Sequence, residues 1–494
     1  MHLGRLIDVL PLADVAGPTD FEIRDIVYDS RQVTPGTAFV AVPSVGGDNA
    51  SGGYRHLDEA IIRGAVAVLV QADFRSERVT TIRVPSARTA LADLAAEFCG
   101  HPSTELRLFA ITGTDGKTTT SYLLEQIFAS AAYLTGMIGT VEYKIGEQRT
   151  RNLDRTTTPE SLDMQRLLRQ MVGAGVTHAV IEASSHALVL ERLRGCCFAG
   201  CALTNITADH LEFHGSWDAY FAAKASLFTE LARDRPAVLN RDDQHTEQLA
   251  AMISGPVLTY GTSAGADVRA AGIQEVRGGS RFTLLTDEGQ AEVELSLLGA
   301  FNVSNALAAA GLALAAGMSL EAIARGLSAA RPPPGRLQRV SAGQPFDVLV
   351  DYAHTTHAFE SVLTSLRERT PHPKQLIAVF GAAGDRDRAK RPILARIARD
   401  FADFFVITNE DPFGEHPDAI VDEIAAGLPR DERGTRFERE LDRAAAIRMA
   451  LTRARPGDAV VILGKGHEQS IVVDGHRQPW SDVEVIRRVL EGIR

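Results

Sequence analysis

Leu106-Arg-Leu-Phe-Ala-Ile-Thr-Gly-Thr-Asp-Gly-Lys-Thr-Thr-Thr120 is the stretch whose reading decides the fold. Leu106–Ile111 is apolar except for Arg107 and reads as a buried strand. Gly113-Thr-Asp-Gly116-Lys117-Thr118 follows as a glycine-rich turn, and a long amphipathic helix is expected from about Thr118. The strict phosphate-loop pattern, with four residues between its glycines, is not met, because Ala110-Ile111 stands where the first glycine would fall. The Gly-Lys-Thr core is present in its strand-loop-helix setting. Glycines let backbone N–H groups crowd round phosphate oxygens, the helix start adds positive potential, and the Lys117 ammonium would meet the outer phosphates. Thr118 would offer its hydroxyl to Mg²⁺. Taken alone, this loop leaves kinases, GTPases, motors and ligases open.

Outward from the loop, the same rhythm of strand and helix repeats. Before it, Thr37–Val42 and Ala65–Val70 read as buried strands and Leu91–Cys99 as a helix stopped at Gly100-His-Pro-Ser103. After it, Thr177–Glu182 and Ala202–Ile206 are strands, and Leu297–Met318 carries an Ala-rich helix. Arg331-Pro-Pro-Pro-Gly335 forbids helix and predicts a stiff linker. Beyond it, Phe346–Asp351, Leu376–Phe380, Phe404–Thr408 and Ala459–Leu463 are strands of an open α/β sheet, whose ligands gather beyond the carboxyl ends. The expected division is residues 1–102, 103–333 and 334–494. A length of 494 residues agrees with roughly three domains at about 150 residues each.

Composition excludes several classes. With 45% hydrophobic and 23% charged residues the chain is neither disordered nor fibrous. The balance of 52 basic against 63 acidic residues, −11, argues against non-specific nucleic-acid binding. Cys99, Cys196, Cys197 and Cys201 have the spacing of neither a zinc knuckle nor a disulfide framework, so a reducing, cytoplasmic setting is expected. No signal peptide and no apolar run of about 18 residues is seen, so no membrane insertion is expected.

Several separated motifs, in order, resemble the Mur ligases of peptidoglycan synthesis. They are G-T-D-G-K-T-T-T (113–120), T-T-P (157–159), E-A-S-S-H (182–186), T-N-I-x-x-D-H-L-x-x-H (204–214), Y-F-x-A-K-x-x-L-F (220–228), F-N-V-x-N (301–305), P-G-R (334–336), D-Y-A-H-T (351–355), G-D-R-D-x-x-K-R (384–391) and G-K-G-H-E (464–468). They fall in the branch that adds the third, diamino residue to UDP-N-acetylmuramoyl-L-alanyl-D-glutamate. The resemblance implies an α/β chain of three domains: an N-terminal UDP-binding domain, a central phosphate-loop ATPase with a parallel sheet, and a C-terminal Rossmann-like domain that brings the amino acid. Other Mur branches, folate polyglutamate ligases and a nucleotide-dependent switch are the alternatives.

The resemblance also implies roles. Gly113, Thr114, Asp115, Gly116, Lys117, Thr118 and Thr119 would hold ATP, helped by Asn302 at the adenine, Arg336 from the hinge, and Asp351 and His354 from the C-terminal domain. Thr118, Glu182, His210 and Lys224 would hold Mg²⁺, Lys224 after carbamylation to N6-carboxylysine; Lys117, Glu182, His210 and Lys224 would be catalytic. A carboxylate, a histidine and a hydroxyl suit Mg²⁺ bridging ATP and an acceptor carboxylate, and carbamylation needs a neutral amine. Ser30 would mark the uridine end, and Thr157, Thr158, Ser184 and Arg192 the muramoyl-peptide. A monomer is expected.

The amine donor should meet Arg386, Glu410, Asp411, Phe413, Gly464 and Glu468. Arg386 suits an α-carboxylate and Glu468 an ammonium. At 408–417 the chain reads T-N-E-D-P-F-G-E-H-P, where branches that add meso-diaminopimelate usually read D-N-P-R. The missing Arg and the two acids favour L-lysine or L-ornithine. Two further departures are Asp115, where Asn is usual, and Thr356-His357, where Pro-Asp is usual. The expected reaction is ATP-dependent amide ligation through an acyl phosphate.

Overall fold

Arg107–Thr112 lies inside an eleven-stranded sheet in a computed structural model of the chain, which describes residues 1–46, 48, 51–154, 156–276, 278–473 and 475–493. Its neighbours are His178–Glu182 and Gly200–Leu203, both parallel to it. Thr135–Ile138 continues the parallel arrangement on one side, and Ala237–Asn240, Val257–Gly261 and the start of Val268–Val276 on the other. These strands are apolar on both faces because both faces are covered. Phe109 and Ile111 pack with Leu123, Ile127 and Leu307 on one side; Leu108 and Ala110 pack with Met164, Leu168 and Phe228 on the other.

The centre of the sheet is parallel, as expected of this domain, and both of its edges are antiparallel. Val268–Val276, Gly279–Thr286 and Gly289–Leu295 run antiparallel at one edge, and Thr135–Ile138, Glu142–Ile145 and Gln148–Arg151 at the other. Ile145 pairs with Gln148 and Thr286 with Gly289, so two residues join each of these pairs. A two-residue turn can only reverse the chain, whereas parallel neighbours need a long crossover.

A second sheet takes the order Asp14–Ala16, Thr80–Arg83, Ala65–Val70, Thr37–Val40, Asp25–Val27, parallel except for its first strand. Ser86 caps the helix Ala87–Phe98 through the Thr89 N–H, which starts that helix a turn before the sequence reading. This unit leans on the helix Ser161–Gly173: Arg166 donates to Asp25 Oδ1 at 2.7 Å and to the Ile26 carbonyl at 2.9 Å.

The third sheet orders Gln338–Arg339, Asp347–Val350, Ala459–Ile462, Leu376–Phe380, Phe404–Thr408 and Phe437–Glu440, parallel after its first strand. Between the last helix of the central part, Leu320–Ala329, and this sheet runs the proline segment. Its first residue is held to the phosphate-loop helix Lys117–Ser130. Gln126 accepts the Arg331 N–H at 2.8 Å and donates to the Arg331 carbonyl at 3.1 Å.

Candidate functional site

The carboxyl ends of the central and C-terminal sheets face one another across a cavity of about 470 Å³. Thr114 to Thr119, Glu182, Ser184, Arg192 and His210 line it from the central side. Arg336, His354, Arg386, Glu410, Asp411, Phe413, Gly464 and Glu468 line it from the C-terminal side. Thr157 also lines it from the central side.

The loop is built as its glycines require. Gly113 (φ 145°) and Gly116 (φ 86°) have backbone geometry that side chains rarely adopt. A Cβ at Gly116 would stand 2.3 Å from Asn305 Oδ1, and one at Gly113 1.9 Å from Thr204 Oγ1. Lys117 Nζ donates to the carbonyls of Gly113 and Thr114 at 2.9 and 2.8 Å, pinning the ammonium over the loop. Burial pushes its pKa down, opposed by Glu182, Asp115 and Asp209.

Glu182 ends its strand fully buried and gathers hydroxyls. Thr118 and Thr140 donate to Oε2 at 2.8 and 2.9 Å, and the Thr140 N–H donates to Oε1 at 2.9 Å. Arg336 Nη2 reaches Thr118 Oγ1 at 3.1 Å, so the hinge arginine touches the phosphate loop, while its guanidinium lies 4.8 Å over the Tyr352 ring. His210 adopts a left-handed backbone (φ 54°) and lies 3.4 Å from Asp209 and 3.6 Å from Glu212. Burial still lowers its pKa, which leaves a neutral ring with a lone pair.

Lys224 does not line the cavity. It lies behind the loop, 1% exposed, donating to the Gly113 carbonyl at 2.7 Å, with Nζ 4.6 Å from the Tyr220 ring centre. Burial drives its pKa well below that of an ordinary lysine, and Lys117 adds to the effect.

Other expected residues are also turned away from the cavity. Asn302 donates to the Leu298 carbonyl and accepts from Asn305, so its side chain braces the residue that crowds Gly116. The Asp351 carboxylate accepts the N–H groups of Leu337 and Ala353 at 2.6 and 2.7 Å and so organises the hinge. Thr158 donates to the Glu182 carbonyl at 2.7 Å, and Ser30 to Glu59 at 3.0 Å in the N-terminal unit. Asp411, although it lines the cavity, accepts from Lys465 at 3.0 Å and from the Val472 N–H at 2.7 Å. Lys465, fully buried, also bonds Glu468 at 2.7 Å. Glu410 is therefore the more available acid of the pair, and burial raises its pKa. Arg443, itself paired with Asp482, donates to the carbonyls of Asn409 and Leu463 and so spaces the turns that carry Glu410 and Gly464.

The sequence reading missed four contributors. Thr140 bridges Glu182 and Thr157 (3.0 Å) from a turn with no motif of its own. Asp209, His186 and Lys390 line the cavity; each stood inside a quoted motif, which was the available signal. Burial presses His186 to about 3 and His354 to about 4, so both rings are neutral near pH 7.

Comparison with known proteins agrees with this geometry. The Mur ligase middle domain matches residues 111–313, and the Mur ligase, glutamate ligase domain matches 335–466. A UDP-N-acetylmuramyl-tripeptide synthetase of Roseiflexus sp. is 45% identical over 96% of this chain and 95% of its own.

The chain belongs to the Mur ligase family.

It is thus an ATP-dependent ligase with the three-domain α/β fold of the Mur ligases. A UDP-N-acetylmuramoyl-L-alanyl-D-glutamate--2,6-diaminopimelate ligase of Solibacter usitatus is 39% identical over 100% of this chain and 99% of its own. A solved structure of a ligase of that same name superposes with a TM-score of 0.69 at 31% identity, covering 100% of this chain and 99% of that one. Among the described residues, no helix of this Mur ligase is long and apolar enough to cross a membrane.

Proposed function

We propose that this Mur ligase adds a diamino acid to UDP-N-acetylmuramoyl-L-alanyl-D-glutamate. The observation that carries the reading is that a phosphate loop and an amine-side pocket share one cavity: Lys117 and Thr118, with Thr157, Ser184 and Arg192, on the central side, and Arg386 and Glu410 on the other. The names of the full-length relatives point the same way. In this reading the N-terminal domain, residues 1–102, takes the uridine end near Ser30; residues 103–333 hold ATP; residues 334–494 bring the amino acid.

The γ-phosphoryl group of ATP passes to the D-glutamyl carboxylate, giving an acyl phosphate and ADP. The donor amine attacks the acyl carbon, loses a proton, and inorganic phosphate leaves from the tetrahedral adduct. The chain's task is to hold two anions together and exclude water. Lys117 lies over the loop to meet the phosphates, and Arg336 reaches the same point from the hinge. Arg192, whose Nη1 donates to the Thr158 carbonyl at 3.0 Å, is placed for the peptide acid.

Mg²⁺ fits this site. Among the described residues no three His, Cys, Asp or Glu side chains form a ready cage, but the Thr118 hydroxyl and Glu182 carboxylate, 2.8 Å apart, are the oxygen donors that Mg²⁺ takes alongside phosphates and water. Thr118, Glu182, neutral His210 and carbamylated Lys224 are the residues that would hold it, and it would supply charge neutralisation for the transferred group.

Glu410 beside the cavity and Phe413 in place of a distal arginine support a donor with a cationic, non-carboxylated far end, L-lysine or L-ornithine. The test supplies ATP, Mg²⁺ and the UDP-linked dipeptide with lysine, ornithine or meso-diaminopimelate, following phosphate release and product mass. Product with lysine or ornithine is expected. Preference for diaminopimelate would overturn the reading of Glu410 and Phe413, and phosphate release without any acceptor would overturn the ligase assignment.

A further inference from the structure

Two of the positions at which the sequence departs from the family pattern, Asp115 and Thr356-His357, come close between the phosphate loop and the C-terminal sheet, where Asp115 contacts the neighbouring Thr355. The backbone of Asp115 is fixed on both sides. Its N–H donates to Asn205 Oδ1 at 3.0 Å, and its carbonyl accepts from Asn205 Nδ2 at 3.1 Å and Thr204 Oγ1 at 2.5 Å. The direction of the side chain is therefore set by the loop. Its carboxylate oxygens lie 3.2 and 3.3 Å from Thr355 Oγ1, a residue 240 positions later in the chain. A carboxylate only accepts, so the threonine hydroxyl donates. The same Oγ1 accepts the Ala358 N–H at 3.1 Å as N-cap of the 14-residue helix Thr356–Arg369. One hydroxyl thus serves both the helix start and the loop, and it places an anion where a helix start favours one.

We propose that Asp115 is a positioning residue that seats the C-terminal sheet on the phosphate loop, by holding the start of helix Thr356–Arg369 through Thr355. The role proposed for it acts through that helix. The seating sets how far Arg386 and Glu410 stand from Lys117 and Thr118. Against the usual Asn at 115 and Asp at 357, the acid has changed sides of the boundary. Burial raises the pKa of Asp115 and the neighbouring Asp209 adds to the shift, while Lys117, then His357 and the Thr355 hydroxyl oppose it. An unpaired carboxylate beside a triphosphate is unfavourable, and the approach of Thr355 and His357 relieves it. Nucleotide binding and seating therefore favour one another.

The proposal rests on the loop being the ATP site, so its test includes a readout that needs no turnover. X-ray scattering on the full-length chain, with and without a non-hydrolysable ATP analogue, reports the seating; steady-state kinetics report KM and kcat for the amine. His357→Asp brings a second acid into the electrostatic surroundings of Asp115. It is expected to enlarge the radius of gyration and to raise the amine KM by about tenfold with a smaller change in kcat. Adding Asp115→Asn to it should restore both. Thr355→Val should act like His357→Asp, and Thr355→Ser should keep the wild-type values. Equal effects of His357→Asp with Asp or Asn at 115, or a Thr355→Val protein with unchanged scattering and KM, would overturn the proposal. A wild-type chain without turnover would count against the ligase reading alone, because the scattering comparison still decides the seating.

Discussion

Lys224 shows how a single side chain can be chemically altered by where it is folded. An amine 1% exposed against the Gly113 carbonyl and a tyrosine ring has its pKa pushed well down by burial, towards the neutral form that reacts with carbon dioxide. Lys224→Ala is expected to lower kcat by at least about a hundredfold, and a short carboxylic acid added to the assay should restore part of it. Ordinary turnover in that variant would remove the carbamate from the account. His178 carries a second residue-scale prediction. It is stacked among Tyr133, Phe128 and Phe109, and burial presses its pKa to about 4, with Arg107 adding to the shift. The unfolded chain takes up this proton near 6.5, the folded chain only near 4, so stability is present above 6.5 and declines as pH falls through that window. Melting temperatures between pH 4 and 7 should fall less steeply in His178→Leu than in the wild type.

Between elements, the helix Lys117–Ser130 is tied to the adjoining strands by a buried ion pair. Lys144 bonds Glu125 and Thr135, and Arg149 reaches Glu125 at 3.2 Å. Glu125→Ala leaves Lys144 buried without its counter-charge, and a loss of about 3 kcal/mol is expected from chemical denaturation. Glu125→Leu combined with Lys144→Met should recover most of it. At this scale much was legible in the chain. Apolar runs such as Leu376–Phe380 and Phe404–Thr408 are strands over those same residues, because a strand buried on both faces tolerates no polar interruption. Lys117 was legible because it closes the glycine-rich turn after such a run, and Glu182 because it ends one. The engagement of Asp411 by Lys465 was not, since 54 residues separate them and only folding brings the ammonium there. Asn302 turned out to brace Asn305, because a motif records which residue is present and not which way its amide faces.

For the whole molecule, the question is how three sheets make one cavity. The N-terminal unit is attached through Leu162, buried in its core, and through polar contacts, with Arg166 gripping Asp25 and the Ile26 carbonyl and Arg88 lying 3.3 Å from Glu160. Arg166→Ala should loosen that unit and raise KM for the UDP-linked substrate several-fold, while affinity for an ATP analogue, read by calorimetry, stays within about twofold. The proline segment has a different consequence. Because Arg331 is riveted to Gln126, on the helix that begins at Lys117, the chain is free to turn only beyond that point. Gly335, with left-handed φ of 67° and its Cα face packed on His467, sits within that short span, and Arg336 is next in line. The pivot thus stands beside the load, like a crane whose mast is planted at the quay's edge. Whatever arc the distal sheet sweeps, the guanidinium at its foot travels least, and Arg386 and Glu410, out on the far arm, travel most.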